Sequence, residues 1–68
     1  MKAVSGKELC RSLERQGWRL WHVRGSHWIY EHADRPGRIS VPVHGNKALK
    51  KGTQYSLMKD AGLTEADL

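Results

Sequence analysis

Apolar residues first recur at helical spacing, between residues 5 and 16 of the chain. The apolar positions in this stretch are Leu9, Cys10 and Leu13. Ser5 is followed three residues later by Glu8, which is the spacing of a capping box. Gly17 then provides a residue that can adopt the left-handed conformation at a helix end. The pattern predicts a first helix from Ser5 to Gln16.

The spacing then changes to short runs rich in Trp, Val, Ile and Tyr, at Trp18–Arg24 and His27–His32. Because Gly25 and Ser26 stand between these runs, they predict a β-hairpin. A second turn at Ala33–Gly37 leads to a third predicted strand, Arg38–Val43. The middle of the chain therefore predicts three consecutive antiparallel strands.

The third strand is followed by a basic loop, His44–Gly52, that contains Gly45 and ends at Gly52. A second helix is predicted at Thr53–Ala61, and Gly62 closes it. Residues 64–67 could cap one last turn. The order αβββα accounts for the whole chain without a repeat or a linker. We therefore expect one α+β domain over residues 1–68, with a three-stranded antiparallel sheet.

Length and charge restrict the kind of partner. A chain of 68 residues has room for one small core and none for a deep substrate cavity, which favours large, extended substrates. Twelve Lys and Arg against seven Asp and Glu give a net charge of +5 and a pI of about 9.8, which favours phosphate-rich partners. Small soluble domains are often basic without binding nucleic acid, so the positions of the charges must decide.

The cellular setting follows from what the chain lacks. A single cysteine, Cys10, cannot form an internal disulfide and is expected to be a small buried apolar residue. The sequence shows no CxxC pair, no signal-peptide pattern and no apolar run long enough to span a bilayer. We expect a protein of the reducing cytoplasm, with no membrane partner.

A two-residue turn at Gly25-Ser26 fixes a register for the hairpin. The predicted pairs are Arg24 with His27, Val23 with Trp28, His22 with Ile29, and Trp21 with Tyr30. Since opposed residues share a face, His22, Arg24 and His27 are expected on one side. The opposite side is expected to carry Trp21, Val23, Trp28 and Tyr30. A longer loop or a β-bulge would change these partners.

His27 is the candidate catalytic residue. A histidine can take the proton from an RNA 2′-hydroxyl, while Arg24 or a loop lysine stabilises the charge that grows on the phosphate. A histidine beside a turn is also commonly a surface or packing residue, and spacing alone leaves both roles open. His27 and His32 point to opposite faces of a strand, and no cysteine pair completes a zinc site, so neither a metal nor another cofactor is expected.

A second candidate feature is the set of lysines that precedes the second helix, Lys47, Lys50 and Lys51. The amino end of a helix presents free N–H groups and positive dipole charge, so lysines there form a phosphate clamp. The alternative is a solvated basic loop. The aromatic residues Trp21, Trp28 and Tyr30 could stack on bases, although a small domain without phenylalanine is expected to need them, and Trp18, in its core.

Several short segments together resemble a known family. They are Gly17-Trp18, Gly25-Ser26-His27, Val41-Pro42-Val43-His44-Gly45-Asn46-Lys47, Lys51-Gly52-Thr53 and Ala61-Gly62-Leu63. In this order they resemble the HicA toxins of HicA/HicB toxin–antitoxin systems. The resemblance implies a fold like that of the double-stranded-RNA-binding domain, with both helices on one face of the sheet. It also implies an mRNA interferase activity carried by His27 and inhibition by a HicB antitoxin.

Arg24, Gly25 and Ser26, beside His27, are also predicted to bind RNA. For the lysines before the second helix, the resemblance itself implies contact with phosphates. His22 stands where the family often has an arginine, so no role is assigned to it. The leading hypothesis is a metal-independent endoribonuclease toxin that a HicB-like antitoxin neutralises. The alternatives are a non-catalytic RNA-binding module and a protein-interaction domain with a basic face. His44 is a candidate general acid that the sequence does not place near His27.

Overall fold

The computed structural model describes all 68 residues. Its elements are α1 (Gly6–Arg15), β1 (Arg19–Arg24), β2 (His27–His32), β3 (Arg35–Pro42), α2 (Lys51–Ala61) and a final 3-10 turn (Glu65–Asp67). The strands form one antiparallel sheet in the order β1-β2-β3. The predicted α+β fold of the αβββα type is confirmed. None of its helices has the length and apolar character that crossing a membrane requires.

The predicted start of α1 is confirmed in detail. The Glu8 backbone N–H donates to the Ser5 hydroxyl at 3.2 Å, and the Ser5 backbone N–H donates to the Glu8 carboxylate at 2.8 Å. These hydrogen bonds favour the ionised carboxylate and so lower the pKa of Glu8. The bond from the Ser5 backbone N–H has the largest effect. The capping box therefore fixes where α1 begins, and the apolar residues Leu9, Cys10 and Leu13 of this helix are buried in the core.

The core lies between one face of the sheet and both helices. Its members come from every element except β1 and the final turn: Val4, Leu9, Cys10, Leu13, Trp18, Tyr30, Ile39, Val41, Met58, Ala61 and Leu63. The predicted burial of Cys10, Trp18 and Tyr30 is confirmed, and Trp28 is partly buried against the same cluster. Burial raises the pKa of the Cys10 thiol, as expected for a packing residue.

A buried amide, Gln54, ties α2 to the start of the chain. Its side-chain oxygen accepts from the Val4 backbone N–H at 3.2 Å, and its side-chain nitrogen donates to the Lys2 carbonyl at 2.6 Å. The Leu49 backbone N–H also donates to the Val4 carbonyl at 2.8 Å. These bonds hold the segment before α2 against the amino-terminal segment, which leads directly into α1.

The hairpin register agrees with the prediction near the turn and departs from it farther away. Arg24 pairs with His27, Val23 with Trp28 and His22 with Ile29, as expected. The predicted pairing of Trp21 with Tyr30 is wrong, because Leu20 takes that position and a bulge lies between Leu20 and His22. An extra residue in one strand shifts the alternation of faces beyond it. Trp21 therefore does not share the buried face of Tyr30, and its side chain is 48% exposed.

Gly6 allows α1 to approach the end of β3, and its substitution tests this packing. A Cβ at Gly6 would overlap the backbone carbonyl of Pro42, whereas a Cβ at Gly52, in the first turn of α2, would meet open space. We expect Gly6→Ala to lower the free energy of unfolding by about 1–3 kcal/mol. Gly52→Ala, the control, should leave it unchanged or raise it by up to about 1 kcal/mol. Equal effects in urea denaturation would contradict the packing.

The Tyr30 hydroxyl donates to the Glu14 carboxylate at 2.7 Å, and burial together with this bond raises the pKa of Tyr30. In the unfolded chain tyrosine ionises near pH ~10, while folded Tyr30 keeps its proton, so stability must fall as the pH rises through this range. We expect Tyr30→Phe to cost about 1–2 kcal/mol at pH 7 and to weaken this alkaline loss. Tyr55→Phe, at an exposed tyrosine, should do neither. Identical unfolding curves against pH for wild type and Tyr30→Phe would refute this.

Candidate nucleic-acid interface

The turn that carries His27 is tight and well defined. Gly25 has φ of 58°, and Ser26 is not among the residues of positive φ, which fits a type II′ turn with glycine at its first central position. The Val43 backbone N–H donates to the Ser26 carbonyl at 2.7 Å, so the end of the hairpin is also bonded to the residue after β3. His27, the first residue of β2, is exposed at this tip.

The strand register places His27 between two neighbours. Its Cα partner on β1 is Arg24, and its partner on β3 is Pro42. The next residues along these strands, Trp28 and Val41, pair with each other and face the core. Because successive side chains alternate, His27 and Arg24 face away from the helices, onto what we call the open face of the sheet. His22, paired with Ile29, lies on this face as well.

A basic cleft lies beside the end of β3. It has a volume of about 310 Å³ and is lined by Pro42, His44, Lys47, Ala48, Leu49, Lys50 and Thr53. Lys50 is the N-cap of α2, its side chain makes no capping bond, and no acidic residue lies in the first turn. The free N–H groups of this turn and the two cleft lysines give the cleft the character of an anion site.

Lys51 does not line this cleft. It borders a different hollow, shared with Met1, Ala3, Leu49 and Gln54. Lys50 is at the N-cap position of α2 and Lys51 is the first helical residue, and the two lysines line different hollows. The structure thus brings Lys47 and Lys50 together and separates Lys51 from them.

Pro42 connects the hairpin tip to the basic cleft. It is the strand partner of His27 and also part of the cleft wall. His44, two residues farther along, lines the same cleft. The register therefore places the candidate catalytic histidine and two of the three candidate lysines on adjoining parts of one surface.

His32 differs from His27 in its bonding. Its Nδ1 accepts from the Asp34 backbone N–H at 3.0 Å, so its Nε2 is the atom that donates to the Gln16 carbonyl at 3.1 Å. Its ring also packs edge-on against Trp18, with centroids 5.2 Å apart. His32 is therefore a structural histidine, and His27 is the exposed one on β2.

Sequence reasoning did not identify one feature of the open face, the stacking of Arg38 on Trp21. The Arg38 guanidinium carbon lies 3.7 Å from the centroid of the Trp21 ring. Arg38 pairs with Glu31 on β2, so its side chain crosses β2 to reach β1. No sequence signal could locate this pair, because it depends on the bulge at Trp21.

Comparison with known proteins identifies the family. The family model for the HicA toxin of bacterial toxin–antitoxin systems matches residues 6–63, which include both helices and all three strands. No curated protein matched the chain. The family match supports a toxin role, nuclease activity, an RNA substrate and a cognate antitoxin. The chain belongs to the HicA toxin family.

Proposed function

We propose that this toxin is an endoribonuclease, an mRNA interferase in which His27 is the general base, and that a HicB-like antitoxin neutralises it. The observation that carries the proposal is the position of His27, which is exposed beside Arg24 and paired with the cleft residue Pro42. A base, a cation and a phosphate-binding cleft then lie within reach of one RNA backbone.

The reaction requires two proton transfers, one bond formed and one bond broken. His27 takes the proton of a 2′-hydroxyl, and the 2′-oxygen attacks the adjacent phosphorus. The bond from phosphorus to the 5′-oxygen breaks, which leaves a 2′,3′-cyclic phosphate, and an acid protonates the departing oxygen. Arg24 stabilises the charge on the phosphate oxygens. His44 is the candidate acid, because it lines the same cleft as Pro42, the strand partner of His27.

Backbone phosphates on either side of the cleaved bond have two proposed binding places. Gly25 and Ser26 form the turn beside His27, and the space around the exposed Gly25 is open to an approaching phosphate. Lys47, Lys50 and the first turn of α2 bind another phosphate in the cleft. Lys51 contributes from the neighbouring hollow as a charge outside the cleft.

The antitoxin of this proposal is HicB-like and presents an acidic surface. The net charge of +5 and the exposed Arg24 at the hairpin tip suit such a partner. A protein that covered His27 and the cleft would exclude RNA from both. Inhibition then requires no change in the shape of the toxin.

His27→Ala tests the catalytic assignment. We expect a loss of at least ~100-fold in the cleavage rate of a defined RNA, as is typical when a general base is removed. Because His27 is exposed, the free energy of unfolding should change by less than about 0.5 kcal/mol. Wild-type cleavage by the folded variant would remove His27 from the mechanism.

The substrate chemistry provides independent controls. A 2′-deoxy substitution at the cleaved linkage should abolish cutting there, and a chelator should leave the wild-type rate unchanged. If purified protein binds RNA and leaves it intact after long incubation without antitoxin, the alternative of a non-catalytic RNA-binding module is correct.

Replacing both Lys47 and Lys50 with Gln tests the cleft. Each lost phosphate contact should reduce the slope of log K against log salt by about 0.7 on single-stranded RNA, so the double variant should lose about 1.4. Lys59→Gln, at the last turn of α2, removes an exposed lysine far from the cleft and should leave the slope unchanged. An unchanged slope in the double variant would exclude the cleft as a phosphate site.

A further inference from the structure

The open face of the sheet carries an aromatic group outside the site described above. Trp21 is 48% exposed, although the other tryptophans, Trp18 and Trp28, are buried or partly buried. The bulge between Leu20 and His22 removes it from the core-facing row that Leu20 joins through its pairing with Tyr30. The chain thus exposes one of its largest apolar side chains on a surface that no helix covers.

The surroundings of Trp21 favour a negatively charged, flat ligand. Arg38 stacks 3.7 Å from the ring centroid, and the His22 ring lies 5.5 Å away at an angle of 56°. Glu31 is the acidic residue among the paired strand positions of this face. The basic residues there are Arg19, His22, Arg24, His27 and Arg38. Aromatic and guanidinium planes within a basic surface are the features that bind bases of single-stranded nucleic acids.

The geometry points to a base-binding subsite at Trp21 and Arg38 that takes an unpaired nucleotide of the RNA whose cleavage site lies at His27. This inference rests on the proposed function and adds the substrate class, which is RNA that is single-stranded next to the cleaved bond. Glu31, the strand partner of Arg38, lies four residues from His27 along β2. At ~3.3 Å per residue this separation is about 13 Å, which a few nucleotides can span.

A duplex cannot use this subsite in the same way. Its bases are stacked on each other inside the helix, so their faces are not free to meet Trp21. The open face is a sheet surface with no groove between helices. Unpaired bases can lie flat on such a surface. The subsite therefore selects unpaired RNA, while the basic cleft binds phosphates of any strand.

The test uses binding of a fully 2′-O-methylated single-stranded RNA of about twelve nucleotides, followed by tryptophan fluorescence. This probe has no free 2′-hydroxyl and cannot be cleaved, so the result does not depend on catalysis by His27. We expect the probe to quench the fluorescence of wild type, and Trp21→Ala to bind about tenfold more weakly with little quenching. Trp21→Phe should retain most of the affinity, because it keeps an aromatic face.

Leu20→Ala is the matched control. Leu20 is on the same strand and 46% exposed, but it pairs with Tyr30 and so lies on the opposite face. We expect its affinity to equal that of wild type. A 2′-O-methylated duplex of the same sequence should not quench Trp21. On unmodified RNA, Trp21→Ala should raise KM with kcat nearly unchanged, because the base is bound equally before and during the reaction.

Wild-type affinity of a folded Trp21→Ala for the probe would overturn the subsite. Equal quenching by duplex and single strand would also overturn it, since the contact would then not need an unpaired base. If Trp21→Ala binds the probe normally but binds the antitoxin more weakly, the face is a protein interface and the inference is wrong. If any of these results is found while His27→Ala loses cleavage, the proposed catalytic role of His27 is supported and only the base-binding subsite is wrong.

Discussion

The pairing of His27 with Pro42 is the constraint on which the functional surface depends. It is the last pair of the β2–β3 ladder, and the hydrogen bond from the Val43 N–H to the Ser26 carbonyl extends the contact past it. Through this pair the tip of one hairpin is fixed beside the loop that leads to α2. Without it, an exposed histidine and a basic cleft would be separate features of a small domain, and one phosphate backbone could not use both.

The core supports this pair from the other side. Gly6 lets the first turn of α1 pack onto the Pro42 carbonyl. Gln54 ties α2 to the amino-terminal segment, and the Leu49 N–H bonds the segment before α2 to the Val4 carbonyl. None of these groups can react with RNA. They fix the distance between the hairpin tip and the first turn of α2, so the geometry of the proposed reaction is a consequence of packing. A domain of this size has no deep pocket, and it uses the junction of a sheet end and a helix end instead.

The two faces of the sheet show how much the sequence could predict. The capping box of Ser5 and Glu8 and the turn at Gly25-Ser26 act locally, so α1 and the pairs nearest the turn follow from sequence alone. The bulge at Trp21 does not, because strict alternation assigned this residue to the core and only the completed sheet shows its exposure. The lysines before α2 are a second example. The sequence predicts that Lys47, Lys50 and Lys51 form one cluster, but α2 begins at Lys51, and only Lys47 and Lys50 line the cleft.

We propose that the hairpin tip and the basic cleft form one RNA site. The most direct measurement is an NMR titration of the protein with a short 2′-O-methylated RNA, which binds without being cleaved. We predict that signals of His27 and Arg24 shift together with those of Lys50 and Gly52, at the same RNA concentration and with one dissociation constant. Shifts confined to one of these groups, or two groups with different dissociation constants, would contradict it.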